Sequence, residues 1–179
     1  MTTPKKHIFL LTVLFLFTMT ASVFAQDAPK PKASPAQTAT GKVGAANITI
    51  AYSSPAVKGR TIWGGLEAYG KPWRAGANEA TTFTTDKDIK VEGKTLKAGK
   101  YSVFMVPGET EWQVIFNTET GQWGTKRGGG ANFDPANNAL TVTVKPKKLD
   151  QLNERLVYDI TNKGFSLKWE YVEVPVAIK

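Results

Sequence analysis

One stretch of the chain, from Ser54 to Glu79, holds two tryptophans, two arginines, two lysines and a tyrosine with no helix or strand period. Those residue types can hold a guest. Arg60 and Arg74 offer planar forks suited to carboxylate, phosphate or sugar hydroxyl oxygens, and Lys58 and Lys71 add point charges. Trp63, Tyr69 and Trp73 can present flat faces to a sugar ring or a cation. Asn78 both donates and accepts, and Glu79 supplies a carboxylate or a partner for a nearby arginine. Gly59, Gly64, Gly65, Gly70 and Gly76 permit close backbone approach. Lys58, Arg60, Trp63, Tyr69, Trp73, Arg74, Asn78 and Glu79 are therefore the candidate site for a small anionic or carbohydrate ligand, or for an envelope protein. The competing role is architectural. The open end of a sheet sandwich needs filling, Arg74 and Glu79 can simply pair, and the glycines can serve tight turns.

Counting excludes more than it suggests. The only histidine is His7 and there is no cysteine. Without His7, which lies in the leader described below, Ser-His-Asp and Cys-His catalysis are absent. Imidazole or thiolate metal sites and thiol redox chemistry are absent too. No cofactor is expected. Carboxylate chemistry remains, with Glu67, Glu79, Glu109, Glu111 and Glu170 available. The second functional class is thus a carboxylate-dependent hydrolase of cell-envelope carbohydrate, which needs two carboxyls across one sugar bond. Asp86 and Asp88 alternate as calcium ligands can, but Lys87 between them favours a turn. Gly128-Gly129-Gly130 lacks the Lys-Ser/Thr ending of a phosphate loop.

The N-terminus bounds the compartment. Lys5-Lys6-His7, an apolar run from Ile8 to Phe17 and the small-residue ending Val23-Phe24-Ala25 are expected to form a signal peptide over 1–25, and the Thr and Ser residues that break Ile8–Ala25 argue against the alternative of a transmembrane anchor. Membrane contact is expected only through that leader, and the product is periplasmic or secreted. Cleavage leaves 154 of 179 residues, enough for one domain with a core. The net charge of that remainder is +6, since Lys5 and Lys6 leave with the leader. This favours anionic partners at long range. Scattered lysines on an exported chain argue against nucleic acid. Residues 26–41 (QDAPKPKASPAQTATG) carry no large apolar side chain and are expected to be a flexible tether, leaving a single domain over 42–179.

The elements that must position the Ser54–Glu79 stretch are strands. Ile48, Ile50 and Tyr52 alternate with polar or small neighbours, as do Ile89 and Val91, Trp112, Val114 and Phe116, and Leu140, Val142 and Val144. Phe83 lies amid four threonines. Tyr101–Val106 is apolar on both parities apart from Ser102, the pattern of a central strand covered on both faces. Pro107-Gly108 predicts a hairpin into Trp112–Asn117. Trp112, Trp169 and Phe104 fall within these runs and are core candidates, whereas Trp123 lies in a long unpatterned stretch, Asn117–Asn138, expected to be mobile or functional. Near the C-terminus, Phe165, Leu167, Trp169 and Tyr171 are odd-numbered, and Val172, Val174, Val176 and Ile178 are even-numbered. That parity switch predicts a bulge or bend near Tyr171-Val172. Pro175 suggests an edge, which could pair with a partner strand. Lys148–Ile160 fits a short helical turn leading into a strand. Eight to ten short strands with at most one or two short helices describe an all-β antiparallel sandwich or flattened barrel.

Four blocks carry a resemblance. SPAVKGRTIWGGL, YGKPWRAGANEATTF, KTLKAGKYSVFMVPGETEWQVIFN and KWEYVEVPV, in this order, resemble the bacterial family known as domain of unknown function 2911. The similarity spans about Asn47 to Ile178. It implies an exported, single-domain protein of Gram-negative type. It assigns no activity, so no catalytic residue carries over. The chain departs from the family pattern at Lys126–Gly130, where acidic and aromatic residues are usual.

Overall fold

The computed structural model describes residues 32–179, so the expected signal peptide and residues 26–31 of the expected tether lie outside the described residues. Ten strands carry the fold: β1 (Ala36–Val43), β2 (Ala46–Ser53), β3 (Thr81–Thr85), β4 (Ile89–Val91), β5 (Lys94–Leu96), β6 (Gly99–Val106), β7 (Trp112–Asn117), β8 (Asn138–Val144), β9 (Lys147–Thr161) and β10 (Gly164–Ala177). Among the described residues the one helical element is a 3-10 turn at Pro135–Asn137, capped by the Asp134 side chain.

Alternation makes the main layer. β1-β2-β3-β6-β7-β8 form one antiparallel sheet. Its inward face carries Ile48, Ile50, Phe83, Tyr101, Val103, Met105, Trp112, Val114, Phe116 and Val142. The β9-β10 hairpin is the second layer, supplying Leu156, Tyr158, Phe165, Leu167 and Trp169 to the same core. The small β4-β5 hairpin extends it: Lys90 and Lys179 exchange backbone hydrogen bonds of 2.8 and 2.9 Å. On the far side Val57 N–H donates to the Glu154 carbonyl and Leu156 N–H to Pro55, so residues 55–57 border β9. The all-β sandwich is thus built as the alternation requires.

β6 shows why both parities are apolar. Tyr101, Val103 and Met105 face the second layer, while Phe104 packs outward with Ile115 and Phe133 in a smaller cluster. Phe133 belongs to the β7–β8 connection and stacks on Phe104 at 4.4 Å. That long connection is held down by hydrogen bonds: Gly124 N–H to Asn78, Ala80 N–H to Gln122 and Asn132 N–H to Gly124, each 3.0–3.1 Å.

The parity switch in β10 is real. Pairing with β9 slips on both sides of Glu170, whose φ is +55°. Before it Phe165, Leu167 and Trp169 point inward, and after it Val174, Val176 and Ile178 do. Val91 in β4 bridges to Ile178 at this end.

Two expectations need correction. The tether does not reach Gly41: Ala36–Gly41 are part of β1, paired with β2 along its length from Ala36↔Ser53 to Val43↔Ala46. Backbone pairing orders a stretch with little apolar surface to bury, and Gly41 lets it approach β9, where an added Cβ would fall 2.5 Å from Ile160 Cγ2. The compact unit accordingly begins at Ala33. Nor does Lys148–Ile160 contain a helical turn. All of it is β9, and Leu152 is exposed, so its spacing to Leu149 and Leu156 was coincidental. Pairing with β10 decided the conformation, as tertiary context commonly does for a short ambiguous run.

Candidate functional site

The segment between β2 and β3 crosses the open end of the sandwich. Ile62, Trp63 and Trp73 plug it, with Trp63 9% and Trp73 4% exposed. Trp63 meets Trp112 at 4.6 Å, Trp73 at 5.6 Å and Trp169 at 5.6 Å, all edge to face. Trp73 stacks on Trp169 at 5.8 Å, and its Nε1–H donates to the Gly76 carbonyl. The indole faces offered for stacking on a guest are therefore spent on one another, and the architectural role holds for both tryptophans. Four large aromatic side chains closing one end explain how a thiol-free domain seals it by burial alone.

The remaining candidates do not converge as a group. Lys58 is exposed and helps form a tight turn, its N–H bonding Glu154 Oε1 at 2.9 Å. Arg60 curls back, donating from Nε to the Val57 carbonyl and from Nη2 to that of Ala56. Tyr69 lies over Gly64 with much of its ring exposed. Asn78 donates from Nδ2 to the Ser34 carbonyl. Glu79 bridges through its backbone to Trp123 and lines a separate depression beside Tyr52 and Thr38.

Arg74 is different. With Glu67 it borders a depression of about 270 Å³ that Leu66, Pro72, Trp73, Thr125, Gly130 and Ala131 also line. The guanidinium is half-buried, and its Nε is enclosed without a hydrogen-bond acceptor. Burial pulls its pKa below the ordinary value, and Glu67 pulls it back up. Burial raises the Glu67 carboxyl to about 7, although Arg74 and then Arg60 oppose the rise. A half-buried carboxyl and a half-buried guanidinium on one depression, both shifted by burial, make this a candidate functional site.

The backbone there is unusual. Ala75 has φ +53° and Asn78 +59°, conformations uncommon for residues with a Cβ. The Ala75 carbonyl accepts from Thr81 Oγ1 and from Tyr158 Oη, each at 2.9 Å. Those two bonds fix the turn that carries Arg74. Gly124, next to Thr125 in the chain, touches the Arg74 stem so closely that any Cβ would overlap Arg74 Cβ, Cγ and Cδ. Thr125 and Ala131 then bridge backbone to backbone, closing a turn through Gly128, Gly129 and Gly130, all at positive φ. Glycine is needed for that reversal.

Sequence reasoning gave Glu67 no special role among five carboxylates and passed over Gly124 and Thr125, which join the site only through the fold. Five surface depressions among the described residues each have one acidic side chain in their wall: Glu173, Glu79, Asp150, Glu67 and Asp88. Glu109 and Glu111 are exposed at the β6–β7 turn. Glu170 at the bulge accepts from the Ile62 N–H at 3.3 Å. Asp86 binds the backbone and side chain of Asn47, while Asp88 takes Lys97 and the Ala98 N–H, so the two aspartates serve different partners. Among the described residues no group of three or more acidic or imidazole side chains could share a metal ion.

Residues 34–178 match the family model described as protein of unknown function (DUF2911). No curated protein and no solved structure matches the chain.

Proposed function

Because the chain belongs to the DUF2911 family, whose description assigns no activity, we propose a function from its own residues: an exported, non-enzymatic module that binds a small oxyanion-bearing ligand, such as an acidic sugar, in the Glu67–Arg74 depression. One observation carries this reading. Arg74 is half-buried, its Nε lacks an acceptor, and it borders a cavity of about 270 Å³. A guanidinium is costly to desolvate without acceptors, and a planar fork suits a carboxylate or phosphate. Export rests on the leader sequence at 1–25, and the basic balance of the remaining chain attracts anions at long range.

Thermal denaturation with and without ligand tests the proposal. Glucuronate, peptidoglycan fragments and sulfate are added to wild type and to Arg74→Gln. A ligand at about a hundred times its Kd should stabilise wild type by about 2.7 kcal/mol, or about 5–10 °C for a domain of this size. Arg74→Gln should lose that response, and Arg74→Lys should keep only a minor part. Equal stabilisation of wild type and Arg74→Gln, or none by any of the three, overturns the reading.

A further inference from the structure

Glu67 stands where an incoming anion would have to sit. It shares the depression with Arg74 and is that arginine's charged neighbour. Among the described residues its carboxyl makes no side-chain hydrogen bond, so it is not committed to holding the loop. Its backbone is committed: Glu67 N–H donates to the Ile62 carbonyl, and its own carbonyl accepts from Gly64 N–H, both at 2.9 Å. The side chain is thus carried by a closed loop and aimed at a cavity rather than at a protein partner.

Two states of that carboxyl treat an anion oppositely. Ionised, it neutralises Arg74 and repels an oxyanion across the same small cavity. Protonated, it releases the guanidinium and gains an O–H donor. We propose that an oxyanion enters the Glu67–Arg74 depression together with one proton, held on Glu67, so that guanidinium and carboxylic acid grip the anion from two sides. This rests on the ligand site proposed above and deepens it: the class taken is an anion that accepts both a guanidinium fork and an acid proton. The balance is simple, since one proton moves from solvent to the Glu67 carboxylate and no covalent bond to the ligand changes.

The charged surroundings are consistent with such a switch. From its own loop Glu67 feels Arg74 and Arg60, both of which stay cationic as arginines do. Lys71 lies in the same loop, and Lys126 and Arg127 stand on the turn opposite, all exposed. From β10, Glu170 reaches the loop at the Ile62 amide, the residue whose carbonyl holds Glu67 N–H. Burial holds the Glu67 proton to about pH 7, so the switch works near neutrality.

Isothermal titration with sulfate and with glucuronate tests the coupling, because neither probe titrates between about pH 6 and pH 8.5. For wild type the affinity should fall about thirty-fold over that interval, approaching tenfold per pH unit at the alkaline end. Repeating the titration in buffers of different ionisation heat should report uptake of up to one proton per anion above pH 7. Glu67→Gln, which imitates the neutral acid, should bind with less than about threefold change over the same range and more tightly than wild type at pH 8.5. Binding of glucuronate alone points to an acidic sugar, and binding of both probes to a general oxyanion site. Binding that is unchanged with pH in wild type, or a slope that persists in Glu67→Gln, overturns the coupling while leaving the ligand site standing. If neither probe binds at any pH, the ligand site falls and the coupling with it.

Discussion

Replacing Glu67 with glutamine keeps the side chain's shape and removes a charge that folding buries. In the folded chain the carboxyl titrates at about 7, against an ordinary value of 4.5. The native state therefore holds a proton that the unfolded chain has already released between those two values. Stability contributed by the neutral form is complete below pH 4.5 and is lost as pH rises through about 7. Each pH unit between the values corresponds to about 1.4 kcal/mol, so the ionised carboxylate costs the folded state about 3 kcal/mol at pH 8. Two effects reduce what glutamine recovers. The carboxyl is partly solvated, and Arg74 loses its charged neighbour. A net gain of about 1–3 kcal/mol at pH 8 is expected, which is a rise of about 2–10 °C in Tm. At pH 4.5 the two proteins should melt within about 1–2 °C of each other. Thermal denaturation followed by circular dichroism between pH 4.5 and 8.5 measures the difference. A gap that does not widen with pH, or a variant less stable than wild type at pH 8, would refute the argument that burial raises this carboxyl. A residue that weakens the fold at neutral pH is what a binding site is expected to contain.

Two further substitutions test the frame around the site. Gly164 follows the β9–β10 turn at φ +137°, and an added Cβ would run into the Val176 carbonyl. Gly164→Ala should lower stability by about 3 kcal/mol or more, combining overpacking with a disfavoured dihedral, and urea denaturation should show the loss; an unchanged midpoint would mean that this end of the hairpin is free to shift. Lys58 and Gly59 sit at φ +50° and +66°, closed by the Arg60 N–H to Val57 bond of 3.1 Å, the geometry that favours Asn-Gly. Lys58→Asn should raise Tm by about 1–4 °C, through relief of about 0.5–1 kcal/mol, and a fall in Tm would count against that turn.

Much of the fold was legible because period two is a local signal. Inward and outward residues of β2, β6 and β7 could be read directly, and even the parity switch in β10 was visible, since a bulge must reverse the facing of every later residue. The absence of cysteine, and of histidine beyond position 7, excluded whole classes of chemistry by counting alone. Where local signals conflicted or were weak, the sheet decided. Lys148–Ile160 carried both periods and became strand because β10 offered a ladder. Ala36–Gly41 carried neither and became strand because β2 did. The site divides in the same way. The residue types of the Ser54–Glu79 stretch marked it as unusual, but nothing local separates an indole that plugs a core from one that greets a ligand. Trp63 and Trp73 went inward because Trp112 and Trp169, far along the chain, leave a space that two more indoles fill. Arg74 and Glu67 border one depression with Thr125 and Ala131, and Gly124, fifty residues after Arg74, has no side chain to push the arginine away. Composition and periodicity thus determined the layers and the permitted chemistry. Which charged groups share one cavity, and which of them holds a proton near neutrality, depended on distances and desolvation that arise only when remote segments pack together.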